Sequence, residues 1–372
     1  MFRIPHSAFR IPHSAFRIPQ RQQSTTHHPP QKPPPFEIEL PPPAASLTAP
    51  MIASLKLPLA LLAGLLLPLS LHAQAPESVM VLEAYSGKVL VAANSSVKRP
   101  VASLTKIATA AVVVDWATAT GTDIATTTLV IPQTITLVGG PNPLNLQPGD
   151  QMTLRDALYS ALLGSDNLAA LALADHVGRH INSRRGKNAD PVATFVAEMG
   201  KLTKAIGMAN TRFINPHGLD GAGRAQGQST AADIARLSIY AMRRNAFNFI
   251  VRQKTRQISV ITPAGKKSFT VRNTNELVGE VGILGVKTGT TALAGQCLAT
   301  CMDREPLVRN KPDGTKGATP RRLIVVVLNS PDRFNRTRAL IRQGWAIYDP
   351  WLAAGAPVKD RRREFLTLPR IQ

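Results

Sequence analysis

The chain has 372 residues, enough for one large domain or two ordinary ones with ample core. Lysine plus arginine number 44 against 23 aspartate plus glutamate, a net charge of +21 that points to an acidic partner. Nucleic acid is a poor fit for that partner: aromatics are 5 %, no nucleic-acid module is recognisable, and the basic residues are scattered apart from runs such as Arg361-Arg362-Arg363.

Residues 1–50 do not read as folded protein. Phe2-Arg-Ile-Pro-His-Ser-Ala recurs at Phe9, a third copy starts at Phe16, and proline-rich stretches follow. Such composition cannot bury a core, so the segment is expected to be disordered or to lie upstream of a start at Met51. From Met51 the pattern changes. Lys56 precedes an apolar run, Leu57 to Leu71, and Ala73-Gln74-Ala75 offers a small-x-small cleavage pattern. Residues 51–75 therefore read as a signal peptide, and the run is shorter than the roughly 20 residues a membrane span needs. The expected organisation is a disordered or non-native extension (1–50), a signal peptide (51–75), an exported domain (76–350) and a short basic tail (351–372).

Within the exported part, Val79–Leu82 and Lys88–Val91 predict a hairpin about Tyr85-Ser86-Gly87. Ser103-Leu104-Thr105-Lys106 opens a helix whose continuation, Ile107 to Trp116, is apolar almost all round and so belongs in the core. Residues 117–150 carry short β-like pieces, Leu129–Ile131 and Ile135–Leu137. Thr153 is placed to cap a helix from Leu154 to Leu163. That helix stops at Gly164-Ser165-Asp166-Asn167, and another begins at Leu168. His176 and His180 have zinc-ligand spacing, but with no third ligand nearby they read as exposed histidines. Helices follow over Phe195–Ile206 and, capped by Ser229-Thr230, over Ala231–Arg243. A loop dense in turn formers, Phe213–Asp220, lies between them.

Residues 256–272 alternate as two strands around Pro263-Ala-Gly265. Gly285–Thr291, Ala294–Cys301 and Arg321–Leu328 read as three neighbouring antiparallel strands, the last deeply buried, with 303–320 as a polar, basic connection. Residues 333–348 close with an amphipathic helix. Cys297 and Cys301 on one strand would be roughly 13 Å apart, too far to bridge, and no metal set accompanies them.

Three short motifs carry chemistry. Ser103 and Lys106 lie one helical turn apart on one face, and a lysine kept neutral by burial or a second cation can take the serine proton. Ser165 and Asn167 offer a hydroxyl and an amide from a helix–helix connection. Lys287-Thr288-Gly289 offers an ammonium, a hydroxyl and a position without a side chain on a strand.

In this order and spacing, Ser-x-x-Lys, Ser-x-Asn and Lys-Thr-Gly are the set of penicillin-binding proteins and class A β-lactamases. The likeness extends to Ala102-Ser-Leu-Thr-Lys106, Leu163-Gly-Ser-Asp-Asn-Leu-Ala-Ala170, Phe213–Asp220, Ser229-Thr-Ala-Ala-Asp233, Asn273-Thr-Asn275 and Gly285-Val-Lys-Thr-Gly289 with Ala294-Gly-Gln-Cys297. The chain thus resembles the low-molecular-mass D-alanyl-D-alanine carboxypeptidase/endopeptidase family over nearly all of residues 78–350.

The resemblance implies an α+β penicilloyl-serine transferase fold, an antiparallel sheet flanked by helices plus a mostly helical subdomain holding the Ser-x-Asn loop. It implies the D-Ala-D-Ala ends or D,D-cross-links of peptidoglycan as substrate, covalent capture of β-lactams, no cofactor and a periplasmic site without a stable membrane anchor after signal cleavage. By resemblance Ser103 is the nucleophile and Lys106 its base, with Lys287 the second cation that depresses its pKa. Ser165 relays a proton to the leaving amine, Asn167 orients Lys106 and the substrate, and Lys287 and Thr288 hold the terminal carboxylate. Gly289 admits the substrate backbone, and the N–H groups of Ser103 and Thr290 form the oxyanion hole.

Two rivals are a class A β-lactamase and a non-catalytic peptidoglycan-binding module. The first needs Glu-x-x-Leu-Asn, a pattern absent around Glu198, and the second needs the loss of a motif. Only about twenty residues follow Tyr348, too few for the further β-domain and amphipathic anchor that family carboxypeptidases often carry, which resembles the endopeptidase branch.

Overall fold

The first element is the predicted hairpin, β1 (Ser78–Glu83) and β2 (Val89–Ala93), paired antiparallel. A computed structural model describes residues 76–221, 226–310 and 312–368; the expectations for 1–50 and 51–75 lie outside the described residues. Every residue of β1 is buried, because the strand lies inside a five-stranded sheet ordered β2-β1-β9-β8-β7. Its partners in that sheet are β7 (Ile283–Thr291), β8 (Gly295–Asn310) and β9 (Lys316–Ser330).

Period-two alternation divides the core in two. Met80, Leu82, Ile324, Val326 and Leu328 face the helical body, while Val79, Val81, Leu323, Val325 and Val327 pack with Leu340, Trp345 and Tyr348. A strand segment covered on both faces has no polar side, which is why residues 323–328 of β9 are an unbroken run of Leu, Ile and Val.

On the helical side lies α1 (Thr105–Thr120), buried without a break from Thr105 to Val114 and ended by Gly121 in the left-handed region at φ 68°. Around it stand α2 (Leu154–Leu162), α3 (Asn167–Arg184), α4 (Pro191–Ala205), α5 (Ala231–Met242) and α6 (Asn245–Val251). Side chains cap four of these starts. Thr153 accepts from the Asp156 N–H, Asp166 from Leu168 and Ala169, Asp190 from Ala193, and Thr230 from Asp233. A second sheet, β3-β4-β5-β6, joins β3 (Thr128–Val130) and β4 (Gln151–Thr153) to the hairpin of β5 (Thr255–Thr262) and β6 (Gly265–Arg272). Two helices end the described chain, α7 (Arg333–Ala353) and α8 (Arg361–Glu364).

Four expectations need correction. Ile135–Leu137 is part of a 3-10 turn, Gln133–Leu137, not a strand: Pro132 leads in, and only Ile135 of the turn is buried. Residues 303–320 are not a loose connection. β8 and β9 stay paired from Asp303↔Arg322 to Asn310↔Lys316, a two-stranded ribbon reaching past both neighbours. Third, α7 continues five residues beyond 348, with Pro350 inside it. Finally, His176 and His180 are half-buried, not exposed. Both meet Trp116 edge to face, with ring centres 5.8 and 5.2 Å away, and the Trp116 Nε1–H donates to His180 Nδ1 at 3.0 Å.

Residues past α7 fold back on the first hairpin. Phe365 bridges Lys88, the Leu366 N–H donates to the Gly87 carbonyl, and Lys88 pairs with Glu364. Among the described residues no helix is long and apolar enough to cross a membrane.

Candidate active site

Ser103 sits in a 3-10 turn, Ala102–Leu104, that runs directly into α1. Ala102 before it holds φ 48°, an uncommon conformation for a residue with a side chain, so the turn carries local strain beside the serine. One turn on, Lys106 is fully buried. Its Nζ lies 2.8 Å from Ser103 Oγ, 2.7 Å from Asn167 Oδ1 and 2.7 Å from the His217 carbonyl oxygen.

Those three partners determine what the lysine can do. A neutral amine has two N–H donors and one lone pair. Two of its partners here are carbonyl oxygens, which only accept; the serine hydroxyl alone can also donate. Once neutral, Lys106 spends both N–H groups on Asn167 and His217 and turns its lone pair to Ser103. Burial lowers its pKa to about 7, against an opposing pull from Asp166.

The partners are themselves held. Asn167 is the first residue of α3, and the Asp166 cap in front of it takes a further hydrogen bond from Ser160 Oγ at 2.8 Å. His217 lies in the loop Phe213–Asp220, where Asn215 Oδ1 accepts from the N–H groups of His217 and Gly218 and Asn215 Nδ2 donates to the Leu219 carbonyl. Thr109 of α1 donates to the Pro216 carbonyl at 2.6 Å, tying the loop to the helix. Gly218, at φ 84°, lies so close to the nucleophile turn that a Cβ there would fall 2.0 Å from the Ala102 carbonyl oxygen. The His217 ring stays neutral: burial and the Lys106 charge push its pKa down to about 4.

Opposite stands β7, the edge strand of the large sheet. Alternation divides its four candidate residues. Lys287 pairs with Ala299, which faces the helical core, and Thr288 with Leu298, which faces the α7 core. Lys287 is buried, and its Nζ donates to the Thr288 carbonyl at 3.1 Å. Burial first, then the charges of Lys106 and Arg333, hold its pKa well below the usual lysine value. Burial comes first for both lysines, and the like-charge repulsion between Lys106 and Lys287 disfavours the charge of each. Gly289 lets the strand touch the nucleophile turn, since a Cβ on it would meet the Val101 carbonyl at 2.9 Å and the Ser103 nitrogen at 3.2 Å.

Ser103, Lys106 and Asn167 are thus in direct contact, and Gly289 abuts Ser103. Ser165 is half-buried in the turn before α3 at φ 61°, with no hydrogen bond to its hydroxyl among the described residues.

Two participants escaped the sequence reading. The His217 carbonyl is a backbone atom, and nothing in side-chain pattern announces it. Arg333, at the start of α7, donates to the Gly289 carbonyl at 3.1 Å and to Thr290 Oγ1 at 2.7 Å. It is one arginine among several on α7, and its only signal was its place just after the buried strand β9.

Glu198, the one glutamate near the region where a β-lactamase base is sought, is engaged on α4. It accepts from Arg185 and Lys201, each at 2.9 Å, and these bonds outweigh burial and lower its pKa. No cluster of three or more metal-ligating side chains is found among the described residues. His180 Nδ1 also accepts the Trp116 N–H, a contact that uses the lone pair a metal would need.

Comparison with known proteins points to one family. Residues 70–308 match the family model described as D-alanyl-D-alanine carboxypeptidase. A D-alanyl-D-alanine endopeptidase of Pseudomonas aeruginosa is 32% identical over 237 residues, covering 63% of this chain and 69% of that protein. The fold is similar to a Streptomyces DD-transpeptidase, with a TM-score of 0.59 and 26% identity over 72% of this chain and 96% of the other. It is also similar to a penicillin-binding protein of Listeria monocytogenes solved in its ampicillin-bound form, with a TM-score of 0.56 and 26% identity over the same shares of the two chains. Because the matched segment spans more than half of the chain and contains all three motifs, the protein belongs to the D-alanyl-D-alanine carboxypeptidase family and is a serine D,D-peptidase.

Proposed function

We propose that the protein hydrolyses the D-alanyl bonds of peptidoglycan stem peptides by acyl transfer through Ser103. Ser103 Oγ attacks the D-alanyl carbonyl carbon while its proton passes to the neutral Nζ of Lys106. The N–H groups of Ser103 and Thr290 donate to the oxygen that gains charge. The tetrahedral adduct collapses, the C–N bond breaks, and Ser165 hands a proton to the departing amine. Water then attacks the ester with the same base, releasing the shortened peptide and restoring Ser103. Lys287, Thr288 and Thr290, with Arg333 as a further cation, hold the carboxylate that ends the substrate, and Gly289 lets the substrate backbone lie along β7.

The observation that carries this reading is the lone pair of Lys106, which its two carbonyl partners leave to Ser103. The ampicillin-bound form of the Listeria relative supports binding of penicillins here. In the test, Ser103→Ala loses all labelling by a fluorescent penicillin; labelling that survives means another nucleophile.

Which bond is cut follows from the same chemistry with two leaving amines, a free D-alanine or a cross-linked neighbour. The name of the Pseudomonas relative favours the cross-link, and the family description favours the terminal residue. Digestion of purified muropeptides separates them, releasing D-alanine in one case and monomers from dimers in the other. Export through residues 51–75 into the periplasm, with 76–350 as the catalytic domain, belongs to this reading, as does the basic balance of the chain facing an anionic wall.

A further inference from the structure

The two walls of the cleft are joined by one short segment, Asn273-Thr274-Asn275, that the mechanism above does not use. The Thr274 N–H donates to the Leu163 carbonyl at 3.0 Å, two residues before Ser165. Its hydroxyl lies 2.6 Å from Thr288 Oγ1 on β7. A single residue therefore touches the Ser165 turn with its backbone and the carboxylate-binding strand with its side chain.

The segment around it is a rigid bracket. Asn273 Nδ2 donates to the carbonyls of Val251 and Gln253, and Asn273 Oδ1 accepts from the Asn275 N–H at 2.9 Å. Val251 in turn packs against β7, where a Cβ on Gly285 would fall 2.8 Å from its methyl group. Val271, just before the bracket, abuts the Ser165 turn, since a Cβ on Gly164 would lie 3.0 Å from its Cγ1.

We propose that Thr274 is a positioning residue that aims the Thr288 hydroxyl proton into the cleft and sets the spacing of the Ser165 turn from β7. The argument is one of proton count. A hydroxyl has one proton to give. Thr288 can donate to a carboxylate only if it accepts, rather than donates, in its bond with Thr274. With Thr274 as the donor, the Thr288 proton is left for the substrate, already oriented before the ligand arrives.

This rests on the reading of Thr288 as a carboxylate ligand. The test compares acylation by benzylpenicillin with acylation by its methyl ester, which lacks the carboxylate, so each protein is its own control for folding. Thr274→Val keeps the shape and removes the hydroxyl. It is expected to slow the free acid by roughly 10- to 30-fold, the size of one hydrogen bond to a charged group, and to leave the ester rate unchanged. Thr274→Ser restores the acid rate. Equal slowing of acid and ester would reduce Thr274 to packing and overturn the proposal, as would no change in either. Thr288→Val separates the premises. If it lowers the acid-to-ester ratio while Thr274→Val does not, the positioning role alone fails; if it leaves the ratio unchanged, the carboxylate reading fails and takes the proposal with it.

Discussion

The two buried lysines of the cleft are chemically the same group put to opposite uses. Lys106 is enclosed by three oxygens 2.7–2.8 Å away, two of them fixed acceptors, and its pKa lies near the pH at which a base must work. Lys287 has a single described acceptor, the Thr288 carbonyl, and faces two other cations, Lys106 and Arg333. Burial lowers the pKa of both lysines; what sets them apart is which partners each one has. In the proposed mechanism the satisfied helical wall moves a proton, and the strand wall, with no anion beside Lys287 among the described residues, takes the substrate carboxylate.

The largest effect that could break this contrast is on Lys106. Lys106→Ala should lower the acylation rate about 1,000-fold, the usual scale of a lost general base, with Ser103 still in place. A loss of tenfold or less in stopped-flow acylation would mean that Ser103 uses another base. Next comes pH. Lys106 acts when deprotonated and its pKa is about 7, so the acylation rate should rise tenfold per unit below pH 7 and level off above it. A profile flat from pH 5 to 8 would contradict the neutral-amine assignment.

On the strand wall the expected effect is smaller and of a different kind. Arg333→Gln removes one charge from the cluster and should raise KM for a carboxylate-ended peptide about tenfold with kcat nearly unchanged. A fall in kcat alone would put Arg333 in the proton-moving half instead. Smallest is Thr153→Ala, which removes the cap of α2. About 1 kcal/mol of stability should be lost in a denaturant titration while the acylation rate of the folded protein stays the same.

Much of this was legible in the chain itself. Ser103 and Lys106 are three apart across a 3-10 turn that runs into α1, so their contact follows from local helical geometry. The caps at Thr153 and Thr230 follow from residue type and position. The ribbon of β8 and β9 was not legible. Its residues past Asp303 are exposed or half-buried on both faces, so they show no apolar alternation, and Pro306 and Pro320 read as breaks. The Thr-Ile-Thr-Leu run over 134–137 had the residue types of a strand, but it has no strand to pair with and closes into a turn. His176 and His180 looked exposed because their helix partner, Trp116, lies 60 residues or more away in sequence.

Sequence alone determined the three motifs, their order and the chemistry they support, because each is a set of neighbours whose spacing on a helix, turn or strand is a local property. Only the tertiary structure decided how Lys106 loses its charge, since desolvation belongs to the whole surrounding core and not to any one residue. It also placed the His217 carbonyl against Lys106, Arg333 against Gly289 and Thr290, and Thr274 against Thr288. A backbone oxygen, one arginine among many and one threonine among many come to these contacts through distance, and folding is what sets distance.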